Sequence, residues 1–195
     1  MSTDSIISIC SNARLLCGQS KISALSEDVR GLCDALYNPT RLSVFRLGTW
    51  SRVRRRVLLP PLSGTPDFGW TYKFQLPPDF VRLISIGETD ESIEYEIEDD
   101  KILSDEPTIK LRYVYDNEQP STWDGLLVEA VTRALAAAFS YPLTASSSLQ
   151  DAMQKLYVAT LTAARGVNGQ EAPIDRFGDN PILNSRFVAR GFRTF

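Results

Sequence analysis

Two one-signed stretches hold most of the side chains that could do chemistry. WSRVRRRVLLPPL, residues 50–62, carries Arg52, Arg54, Arg55 and Arg56, and no acidic residue stands between Arg41 and Pro66. Residues 88–106 carry Glu88, Asp90, Glu91, Glu94, Glu96, Glu98, Asp99, Asp100, Asp105 and Glu106 against Lys101. Clustered arginines suit phosphates or the acidic surface of another protein chain. Paired carboxylates can run glycoside hydrolysis or hold a divalent cation. Spacing argues against both catalytic uses of the acids. In SIEYEIE, Glu94, Glu96 and Glu98 alternate with Ile93, Tyr95 and Ile97, the pattern of a strand with one solvated face. No calcium-loop spacing occurs.

The arginines read the same way. On a strand, Arg52, Arg54 and Arg56 face water while Val53, Val57 and Leu59 face inward, with Arg55 the exception. Such charges protect an exposed strand. Two strands of opposite sign on one chain also suit head-to-tail pairing of identical subunits, the geometry that closes rings.

Other chemistry is thinly represented. The chain has 195 residues and no histidine, so Ser-His-Asp and Cys-His arrangements and histidine metal sites are excluded. Cys10, Cys17 and Cys33 form no CxxC pair and read as buried free thiols. There is no dinucleotide-binding, phosphate-loop or nucleophile-elbow motif, and we expect no cofactor, no metal site and no catalytic residue. A net charge of −3 disfavours a general nucleic-acid binder. Asp4 and the lack of a basic leader do not suit a signal peptide, and no apolar run approaches the roughly 20 residues expected of a membrane span.

The elements that must position these residues follow from periodicity. A helix is predicted over about 4–17, started by Thr3 and Asp4 and ended by Gly18. A second runs from an N-cap at Ser26 along Val29, Leu32, Cys33 and Leu36. Asn38-Pro39 should end or kink it, and a further piece, 40–47, closes at Gly48. Strands are predicted from Trp50 to Tyr115: the arginine run, 70–76, 80–86, SIEYEIE, a turn at Asp99-Asp100 with a return over 101–103, and TIKLRYVY. In the last, Lys110 and Arg112 could pair with the glutamates across the sheet. Helices return behind a capping-box pattern at 121–124, break at Pro142, restart at Ser146–Ser148 and end at Gly166 and Gly169.

The fold class is therefore α+β. A helical bundle is built from residues 1–49 and 119–168, an antiparallel β domain, 50–118, is inserted into it, and an extended tail follows, 169–195. The tail carries Arg186, Phe187, Arg190, Phe192, Arg193 and Phe195, too aromatic for a solvated coil and suited either to docking on a partner or to packing on its own domain.

The blocks NARLLCGQSKISALSED, YNPTRLSVFRLGTWSRVRRRVLLPPL, DFGWTYKFQLPPDFVRLISI and WDGLLVEAVTRALAAAFSYPLTASSSLQDAMQKLYVATLTAAR resemble, in order and spacing, the tail tubular protein A family of short-tailed bacteriophages. The resemblance covers roughly residues 10–166. It implies a head-to-tail connector, or adaptor, in the virion neck: a ring of twelve copies under the portal protein. That ring carries the tail nozzle and fibres and passes genomic DNA as cargo through its lumen. It also implies assembly in the host cytoplasm, a C-terminal segment reaching the portal, and no catalytic residues. On that basis the arginines 52, 54, 55 and 56, the glutamates 94, 96 and 98, and the tail residues are expected at subunit or portal interfaces. The competing expectations are a cell-wall hydrolase using the 88–106 carboxylates and a DNA-binding module centred on Arg52–Arg56.

Overall fold

A computed structural model describes residues 5–20, 27–88 and 93–171. The element order is α1 (Ile6–Leu16), α2 (Glu27–Leu47), a 3-10 turn (Ser51–Val53), β1 (Arg54–Leu59), β2 (Tyr72–Gln75), β3 (Phe80–Ile86), β4 (Glu96–Glu98), β5 (Lys101–Ser104), β6 (Ile109–Tyr115), a second 3-10 turn (Pro120–Thr122), α3 (Gly125–Thr144) and α4 (Ser147–Glu171). Helices thus flank an antiparallel β region on both sides in sequence.

The helix ends differ from expectation in instructive ways. α1 is capped by Ser5, whose side chain and that of Ser8 exchange bonds with each other's backbone N–H. Thr3, Asp4 and the proposed Ser26 cap lie outside the described residues. Gly18 does end α1, at φ +76°. α2 does not break at Asn38-Pro39: it is one helix of 21 residues with Pro39 inside. α3 is capped by Asp124, which accepts from the Leu127 N–H at 2.8 Å, and not by a box from Ser121. Pro142 lies within its last turn, and Ala145 in the left-handed region (φ 51°) closes it. α4 passes straight through Gly166 and Gly169. Ser146, as expected, supports its start through the Leu149 N–H.

α3 is the hub of the bundle, packing against α1, α2 and α4. Its 20 residues are long and apolar enough to cross a membrane, contrary to the expectation from sequence. Here Leu127, Ala130, Val131, Leu135, Ala136 and Phe139 are buried against the neighbouring helices. Small side chains let those helices approach closely. Cys10, Cys17 and Cys33 sit in this core as free thiols. Burial raises the pKa of each, so none is a ready nucleophile.

The β region forms two three-stranded sheets, β1-β6-β3 and β2-β5-β4. They share a second core of Leu59, Phe74, Leu76, Ile86, Ile102, Ile109, Leu111 and Tyr113. β3 serves both cores. Register shifts after Phe80 and Leu83 insert one extra residue each time. Phe80, Leu83 and Ile86 therefore face the sandwich, while Val81 and Ile84 face the helices.

Polar clamps fix the junction of the two layers. Arg46 of α2 donates to the Val81 carbonyl at 2.7 Å, and Arg82 of β3 donates to the Gly48 carbonyl at 3.0 Å. From α4, Asn168 accepts from the Ser51 N–H and donates to the Thr49 carbonyl, and Arg165 donates to the Leu47 carbonyl. Trp50, 1% exposed, plugs the junction and donates its indole N–H to the Val44 carbonyl.

Candidate functional site: two oppositely charged strand edges

Both charged stretches fall on edge strands. β1 borders its sheet beyond β6, and β4 borders the other beyond β5. No other described element packs extensively on either strand.

β1 starts at Arg54, not at Arg52. Arg52 lies in the 3-10 turn, where its carbonyl accepts from Asn117 Nδ2 at 3.2 Å. Val53 is buried before the strand begins. Arg54, Arg55 and Arg56 are all exposed. Arg56 stands opposite Arg112 of β6, a like-charged pair that lowers sheet stability unless a counter-charge arrives. Lys110 and Arg112 do not meet the 94–98 glutamates, because β6 and β4 belong to different sheets. Lys110 pairs instead with Glu88 at 2.6 Å.

Arg55, the apparent exception, is the arginine with a built environment. It shares the inward parity of Val53, Val57 and Leu59. Its guanidinium lies 3.7 Å from the Tyr115 ring centroid and 2.5 Å from Asp79 Oδ2. The other Asp79 oxygen accepts from the Tyr113 hydroxyl at 2.9 Å. Burial, aided by this hydrogen bond and the Asp79 charge, pushes the Tyr113 pKa up to about 12. The cluster walls an open polar cleft of about 720 Å³, lined also by Arg52, Asp116, Asn117 and Gln119. Behind it, buried Arg41 pairs with Asp116 at 2.7 Å and donates to the Asn117 carbonyl. Tyr37 and Phe45 face its guanidinium, each ring centroid 5.7 Å away. Sequence reasoning missed Asp79 and Arg41. The available signal was the odd parity of Arg55.

β4 is three residues long, and Glu96, Ile97 and Glu98 are all exposed. Register keeps the predicted alternation: Ile97 lies beside Ile102 and Phe74 on the core face, and Glu96 and Glu98 lie on the other. Being on an edge, Ile97 and Tyr95 remain 42% exposed, contrary to their expected burial. Glu96 accepts from the Trp70 indole N–H at 3.1 Å. Glu94 holds the strand start through its carbonyl, which accepts from Ser104 Oγ at 2.8 Å. Glu98 stands opposite Lys101, whose ammonium turns to Asp100 at 2.6 Å. Asp99, at φ 53°, makes the expected turn.

Arg186, Phe187, Arg190, Phe192, Arg193 and Phe195 lie outside the described residues. Among the described residues, no three or more Cys, Asp or Glu side chains group so as to hold a metal ion. No protein-family model and no curated protein matches the chain.

Proposed function

We propose that the chain is a structural head-to-tail adaptor of the tail tubular protein A kind. It assembles as a ring beneath a phage portal, links it to nozzle and fibres, and lets DNA pass. The observation that carries this reading is the ordered resemblance of the four sequence blocks over residues 10–166. The architecture is compatible with it: a rigid bundle clamped to a β sandwich, with opposite charges displayed on two strand edges. A conduit wall must not grip phosphate, and a net charge of −3 suits that need. In this reading the arginines 54 and 56 and the glutamates 94, 96 and 98 serve contacts between copies. The tail arginines and phenylalanines reach the portal.

The test is co-sedimentation of the purified chain with a purified portal ring, using full-length protein and a variant ending at residue 171. Full-length protein pellets with the ring and the shortened variant stays in the supernatant while keeping its fold. Full-length protein that never binds the ring refutes the adaptor reading.

A further inference from the structure

We infer that copies of this chain join by pairing the β1 edge of one copy with the β4 edge of the next, continuing a sheet across the subunit boundary. The inference rests on the adaptor reading for its occupant, a second copy, and adds the surface and the register.

Both strands are open edges, and an open edge presents unpaired backbone N–H and C=O groups to any complementary strand. Their charges are opposite. Arg54 and Arg56 are exposed and enter no ion pair among the described residues, and Arg56 is further loaded by Arg112 across the strand. Glu98 is likewise without an ion pair there, and its cross-strand neighbour Lys101 is engaged by Asp100. Each edge also exposes apolar surface that a soluble strand would ordinarily cover: Leu58 is 61% exposed, and Tyr95 and Ile97 are 42% exposed.

One antiparallel register sets Arg54 and Arg56 against the two β4 glutamates. Placing Arg54 opposite Glu98 sets Arg56 opposite Glu96, with both pairs on the same face because strand side chains alternate, and Arg55, already held by Asp79, falls beside Ile97 on the other face. It places Val57 opposite Tyr95 on the other face and brings Glu94 beside Leu58. A shift of one residue in either direction sets Arg56 against Tyr95 or Ile97 and leaves Arg55, already held by Asp79, as the arginine opposite a β4 glutamate, so the charge pattern selects the register. Because β1 and β4 are different surfaces, the contact is head-to-tail, and repetition yields a ring or an open chain, not a closed dimer.

The test is sedimentation velocity of full-length protein over a wide concentration range, with two charge-reversed variants, Arg54→Glu/Arg56→Glu and Glu96→Arg/Glu98→Arg. Each variant alone loses self-association by about tenfold or more, since two like-charged edges now face each other. An equimolar mixture recovers it, because each variant's β1 then complements the other's β4. Register is read separately from Arg54→Cys/Glu98→Cys, which oxidises to disulfide-linked oligomers, whereas Arg54→Cys/Glu94→Cys does not. The three native thiols are buried and give little background. Wild-type protein that is monomeric throughout, variants that associate as wild type does, or a mixture that fails to recover overturns the inference, and the edge charges then serve only to keep strands apart. None of these results bears on the adaptor reading, which is decided by binding to the portal ring.

Discussion

Arg41, 2% exposed, is held by Asp116, the Asn117 carbonyl and two aromatic rings. Arg41→Ala removes a buried side chain and leaves the half-buried Asp116 without its partner, and destabilises the protein by about 2–4 kcal/mol in chemical denaturation. Arg56→Ala costs less than about 0.5 kcal/mol, and removing its repulsion with Arg112 can make it stabilising. Tyr113 gives a pH signature. Its pKa rises from 10 to about 12 on folding, so the neutral phenol is favoured in the native state. That contribution is intact below pH 10 and is lost as pH climbs from 10 towards 12. Tyr37 shifts the same way through burial. Tyr113→Phe therefore flattens the fall in stability across pH 10–12 without abolishing it, measured by denaturant midpoints at each pH.

At the scale of elements, the junction between bundle and sandwich is the sensitive point. A methyl group on Gly48 would meet the Trp50 ring at 2.5 Å. Trp50 is buried and hydrogen-bonded, so it cannot swing away freely. Gly48→Ala costs about 1–3 kcal/mol by displacing it, read as a lower denaturant midpoint and a changed tryptophan emission. The sequence showed that a boundary falls here, through Gly48 and the change of pattern at Trp50. It could not show the clamps, because Arg46, Arg82, Arg165 and Asn168 bond to backbone groups distant in sequence. Alternation located β6 and the β4–β5 turn well. β3 was found as a strand, but FVRLISI hides two bulges that let it serve two cores. The helix breakers misled: Pro39, Pro142, Gly166 and Gly169 are all tolerated inside helices, where tertiary packing outweighs local propensity. At the candidate site, the exposure of Arg54, Arg56, Glu96 and Glu98 was legible from parity. That both strands are edges was not, since strand order depends on pairings remote in sequence.

On the scale of the whole molecule, helices that flank the β region in sequence carry a sandwich in which two of the edge strands, β1 and β4, bear opposite charge. In the proposed reading, charges so placed favour repeated heterologous assembly, and the overall negative charge suits a wall that DNA passes without being held. Assembly is therefore the property to measure. The most direct measurement is class-averaged negative-stain imaging of the full-length protein bound to a portal ring. Under the adaptor proposal, a single ring of density with rotational symmetry is expected beneath the portal. Particles in which the chain is absent, or bound as scattered single copies without a closed ring, would contradict it.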